Sequence, residues 1–144
     1  MPVRTPARSS RKTMAAVVIA ALAGVVIVTS LASAHNVAFN NNVVVDRAYD
    51  YGANQGLYKG RVLTNRAPCK QNREVQIWRI ANPSDVRITT TRTNNVGQWK
   101  VTAARLAPGS KLYALIETKV LPSPPGHNHT CRLDRSGIRA YPYP

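Results

Sequence analysis

The side chains best suited to chemistry in this chain of 144 residues are its three histidines, His35, His127 and His129. His127 and His129 sit two apart in Gly126-His127-Asn128-His129-Thr130, and His35 follows Ala32-Ser33-Ala34, a small-x-small site that signal peptidase accepts. Cleavage there would make His35 the first residue, with a free amine and an imidazole to offer one metal. One further imidazole would complete a T-shaped or square-planar copper site, a geometry that suits nitrogen donors. The plainer expectation is that His127 and His129 decorate an exposed Pro/Gly-rich loop and that His35 belongs to a loose terminus.

Other chemistry is thinly supplied. Cys69 and Cys131 are the two cysteines, with no CxxC and too few thiols for a zinc site, so a structural disulfide between them is expected. Closing that loop would stabilise the fold by roughly 4 kcal/mol. The six acids, Asp46, Asp50, Glu74, Asp85, Glu117 and Asp134, are scattered beside basic residues, which predicts solvated ion pairs. The chain has no G-x-S-x-G elbow, no P-loop and no G-x-G-x-x-G opening a helix, so no catalytic role is expected. Asn128-His129-Thr130 fits the N-x-T acceptor pattern, which is short enough to arise by chance.

Around these residues the chain divides into three stretches. Residues 1–34 begin with Arg4, Arg8, Arg11 and Lys12 and continue through an uncharged apolar run from Met14 to Val28, the order of a secretory signal. Met14 to Ala34 is also long enough to remain as a membrane anchor. Either outcome places the domain outside the cytoplasm. Residues 35–56 open on a polar, Asn-rich segment and candidate edge strand, and residues 57–144 are assigned to a β-sandwich.

Beyond residue 34 sixteen Lys and Arg face six acids, a net charge of +10. Nucleic-acid binders gather charge on one stripe or helix. Here the basic residues are spread almost evenly along the sequence, so no specific nucleic acid is expected. The consequence is a general attraction to polyanions such as cell-wall polymers or lipid head groups, fading as salt rises.

Apolar residues recur with period two in short runs bounded by Gly, Pro, Asn and Asp, which predicts strands. These fall near 43–49, 57–63, 74–81, 86–93, 98–104, 112–120 and 132–140. Asn82-Pro83-Ser84-Asp85 and Asn94-Asn95-Val96-Gly97 read as hairpin connections, the second needing a positive φ at Gly97. Pro122-Ser123-Pro124-Pro125-Gly126 reads as a stiff crossing loop, and Tyr141-Pro142-Tyr143-Pro144 cannot continue a ladder for want of proline donors. The predicted core is Val62, Val75, Ile77, Ile88, Trp99, Val101, Leu112, Ala114, Ile116 and Ile138. Trp78, Trp99 and Tyr113 are expected to pack as core aromatics rather than to stack a ligand. Seven short strands with regular turns imply an all-β sandwich.

The order of motifs, Y-K-G-R-V, Cys69, R-E-V-Q-I-W-R, T-N-N-V-G-Q-W-K-V, K-L-Y-A-L-I and then Cys131, resembles small secreted actinobacterial-type proteins. Those carry an Ig-like or transthyretin-like sandwich, akin to carboxypeptidase regulatory-like domains. The resemblance covers residues 58–139 and implies a seven-stranded fold and an export route, not a reaction. Exported copper-binding sandwiches also use an N-terminal histidine, joined in the carrier type by an Asp-x-His pair where this chain has His127-Asn128-His129. The leading expectation is therefore an exported, non-enzymatic domain acting by surface contact with anionic envelope polymers. The second is a copper-binding sandwich using His35, His127 and His129, and the third a membrane-anchored structural domain.

Overall fold

A computed structural model describes residues 35–144 of the chain. The signal or anchor reading of residues 1–34 lies outside the described residues. The described part is all-β apart from one turn of helix, α1 (Ala67–Lys70).

Eleven strands form three sheets among the described residues, where seven strands were expected. The first sheet is antiparallel, β2 (Asn42–Gly52), β3 (Gln55–Leu63) and β6 (Gln98–Ala104) in that order. The second runs β10 (Asp134–Arg135), β7 (Lys111–Ile116), β4 (Glu74–Arg79) and β5 (Val86–Arg92), with β11 (Arg139–Ala140) also on β7. The third and smallest is β1 (His35–Phe39), β9 (His127–Cys131) and β8 (Lys119–Leu121).

Period-two alternation does what it should in the two larger sheets. Val43, Val45, Tyr58, Val62 and Trp99 from the first meet Val75, Ile77, Leu112, Ala114 and Ile116 from the second in one core. Ile88 and Val101 pack at its margin. Removing these side chains from water is the main favourable term, on the order of 2 kcal/mol for each large aliphatic.

Three elements differ from the expectation, each for a local reason. The strand expected over 112–120 breaks in two. Arg73, buried and far from the solvated face predicted for a basic residue, donates to the Cys69 and Glu117 carbonyls, and the chain leaves the second sheet there. The strand expected over 132–140 is interrupted at Ser136, whose Oγ takes the Ala114 N–H while its own N–H reaches the Ala114 carbonyl. Ile138 consequently faces solvent at 50% exposure. The Asn94–Gly97 turn closes as predicted, with Gly97 at φ +87° and Asn94 Oδ1 accepting from Val96 and Gln98, but the strands it joins belong to different sheets. The Tyr-Pro tail continues no ladder, as expected: β11 ends at Ala140, and beyond it Tyr141 is buried and Tyr143 meets Ala48 in an isolated bridge.

Tyr58 and Tyr141 lie 5.9 Å apart in the core, their hydroxyls donating to the Ala104 carbonyl and to Asp50. Burial, and then the Asp50 charge, push the Tyr58 phenol up from 10.0 to about 12. Burial, the Asp50 bond and nearby negative charge raise Tyr141 as well. A folded value above the unfolded one means that this stabilisation is whole below pH 10 and fades as pH climbs through about 12. Phenolate absorbance should therefore rise late for these two tyrosines and coincide with loss of near-ultraviolet dichroism. Titration of all six tyrosines together near their ordinary value, with the fold intact, would contradict this.

Candidate metal centre

The third sheet gathers the histidines. His127 and His129 are two apart on β9, so the pleat sends both to one face together with Cys131. β1 runs parallel to β9 with His35 opposite His127, Val37 opposite His129 and Phe39 opposite Cys131. One ligand nitrogen from each of the three imidazoles lies within 4.8 Å of the other two. Ring centroids are 4.3 Å apart for His35 and His127, 5.8 Å for His35 and His129, and 6.3 Å for His127 and His129. His35 is exposed and the other two are half-buried, so the cluster opens to solvent.

Neighbouring elements fix this platform. The Pro-rich loop ends in a tight turn in which the Pro124 carbonyl accepts the His127 N–H, Gly126 takes φ +82°, and Ser123 Oγ donates to the His127 carbonyl. At the far end of β9 a disulfide joins Cys131 to Cys69 in α1, with Cα atoms 5.4 Å apart. Cys69, Cys131, Leu121 and Phe39 form a small separate core. Phe39 meets His129 edge-on at 5.9 Å, and the Arg66 guanidinium lies 4.9 Å over the same ring. Lys119 ties β8 to α1 by donating to the Pro68 and Gln71 carbonyls.

The expectation of a loop for His127 and His129 is thus corrected, and the polar segment from His35 is the expected edge strand, not a loose terminus. Residues 35–39 and 127–131 are strands paired with each other. Their polar Asn, His and Thr carry no hydrophobic alternation, so the usual strand signal is silent. Phe39 and Arg66 were not anticipated as part of the site. The short apolar run Val37-Ala38-Phe39 between polar residues was the available hint.

The donor set is all nitrogen, with no carboxylate in the cluster. That suits copper, zinc or nickel and disfavours magnesium and calcium. Metal–imidazole bonds of about 2.0–2.1 Å put ligand nitrogens about 3.3 Å apart in a tetrahedron and about 4.1 Å apart when trans. The three nitrogens, all within 4.8 Å of one another, would draw in to that range around an ion. Among the described residues no imidazole nitrogen is taken up by a hydrogen bond, so the converging nitrogens are free to ligate.

The remaining candidates fall elsewhere. Trp99 is in the main core at 3% exposure. Trp78 and Tyr113 stack 6.5 Å apart on the second sheet, with Arg87 over the one and Arg135 over the other. Among the acids, Asp46, Asp50 and Glu74 pair with Arg61, Arg105 and Arg92 as expected. Asp85 accepts from Tyr113, Asp134 from the Val43 N–H and Glu117 from Gln76. Comparison of the chain with protein-family models, curated proteins and solved structures finds no match.

Proposed function

We propose that this is an exported metal-binding domain whose His35, His127 and His129 hold a late first-row divalent ion, copper(II) foremost. The observation that carries this reading is the convergence of all three histidines of the chain within 4.8 Å, from strands about ninety residues apart in sequence. Copper heads the series because divalent affinity at nitrogen sites peaks there. Removal of residues 1–34 would add the His35 amine to the donors. Export is supported by the disulfide, which an oxidising compartment maintains, and by the leader-like order of residues 1–34. The Ig-like or transthyretin-like likeness belongs to the same reading, supported by two sheets closed over one core. With His35 exposed and a disulfide already securing the strand beneath, the ion serves exchange with solvent partners better than it serves folding.

Competition against a chelator of known affinity tests the reading. The protein should take one copper ion, and His127→Ala or His129→Ala should each weaken it by at least about 100-fold, since ligand loss exceeds the 10–100-fold typical of second-shell partners. Acidification should release the ion, because imidazole must be deprotonated to ligate. Equal affinity in wild type and in the His35/His127/His129→Ala triple variant would overturn the proposal.

A further inference from the structure

The first sheet turns a second surface to solvent, and its composition is unusual for a surface that serves stability alone. The register places Arg47 opposite Lys59, and Lys59 opposite Lys100, so that three cations form one row across β2, β3 and β6. Neighbouring strands lie about 4.8 Å apart, and like charges directly opposite destabilise a sheet. Among the described residues none of the three meets a carboxylate. The adjacent acid, Asp46, is held by Arg61 through two bonds of 2.9 and 3.0 Å. The β-bulge between Val45 and Arg47 sets Asp46 and Arg47 side by side and turns Arg47 into the row. Basic residues that look evenly scattered in sequence are therefore gathered by strand pairing.

This row floors a shallow cavity of about 700 Å³, walled further by Arg61 and Arg92. The one aromatic in its lining, Trp99, is 3% exposed and offers no face for a base to stack on. We infer that the Arg47–Lys59–Lys100 row is a binding site for the phosphate groups of a flexible phosphodiester polymer without bases, the chemistry of a cell-envelope polyanion. An arginine fork takes two oxygens of one phosphate, and the lysines supply compact charges to the same or the next group. The site is on a different sheet from the histidines and stands or falls independently of the metal.

The test uses poly(glycerol phosphate) as probe, on the full chain with a chelator present to silence the histidine site. Three phosphate contacts predict a slope near −2 for log K against log salt, from about −0.7 per contact on a single strand. Arg47→Gln/Lys59→Gln/Lys100→Gln should weaken binding at low salt by at least about 30-fold and flatten the slope. A matched loss of charge elsewhere, Arg79→Gln/Lys111→Gln/Arg132→Gln, should change it by less than about threefold. Lys59→Gln alone should raise the melting temperature while lowering affinity, because it removes the central like charge of the row. Equal losses in the two triple variants would reduce the effect to net charge and overturn the inference. So would no binding by wild type, or tighter binding of a single-stranded oligonucleotide of equal phosphate count.

Discussion

Replacing both disulfide cysteines, Cys69→Ala with Cys131→Ala, is expected to lower unfolding free energy by about 4 kcal/mol and to weaken metal binding in the same molecule. The first part follows from chain entropy. The bridge spans a sequence separation of 62, and a loop of that length costs the unfolded ensemble roughly 4 kcal/mol of freedom. Against a typical domain stability of about 5–15 kcal/mol this is a large fraction. The second part follows from position. Cys131 ends the strand that bears His127 and His129, and with Cys69, Leu121 and Phe39 it makes the small core on which His129 rests. Alanine variants are preferable to reduction, because free thiolates would themselves ligate copper. Denaturant unfolding together with chelator competition reads both parts. A stability loss under about 1 kcal/mol, with unchanged copper affinity, would show that neither the chain nor the platform depends on the bridge.

A second large effect is expected at Gly60. This residue lies inside β3 opposite Trp99, and a Cβ built there would stand 2.0 Å from the Val44 carbonyl oxygen and 2.4 Å from Trp99 Cζ2. The indole edge lies against the glycine, and the neighbouring backbone leaves no room on the other side. A flexible side chain could swing away from a methyl group, but a paired backbone carbonyl can move only if β2 and β3 separate locally. Gly60→Ala should therefore cost about 3 kcal/mol or more, at or beyond the upper end of overpacking penalties. Because Arg47, Lys59 and Lys100 share the same strands, the substitution should also disturb the cationic row while leaving the histidine sheet intact. A urea midpoint close to that of wild type would contradict the account of this contact.

Much of the main core was legible because hydrophobic alternation reports directly on a sheet with one buried face. Val75 and Ile77, Leu112 with Ala114 and Ile116, and Trp99 were all identified from that pattern, and all are buried. The Cys69–Cys131 pair was legible from count alone. Other features leave no mark in the local pattern, for identifiable physical reasons. Tyr58 and Tyr141 are core residues carrying a hydroxyl, and their burial depends on finding acceptors at Ala104 and Asp50 from distant segments. The breaks at Glu117 and Ser136 arise where a guanidinium or a hydroxyl substitutes for ladder partners, which no local pattern records. The β1–β9 pairing joins two polar segments far apart in sequence, and a parallel pair has no connecting turn to announce it.

The two candidate sites were legible to different degrees for the same reason. His127 and His129 were suspect because three histidines cluster at two places, yet their convergence with His35 needed the register of β1 on β9. The cationic row was hidden altogether. Arg47, Lys59 and Lys100 are each unremarkable in sequence and meet only through the pairing of three strands.

The most direct test of the central claim is the electron paramagnetic resonance spectrum of the protein loaded with one equivalent of isotopically pure copper(II). Convergence of His35, His127 and His129 on one ion predicts nitrogen hyperfine structure from three imidazoles. That structure should simplify by one ligand in each single His→Ala variant and be lost in the triple variant. A wild-type spectrum identical to that of the triple variant would mean that copper sits elsewhere, and the histidine cluster would not be a metal centre.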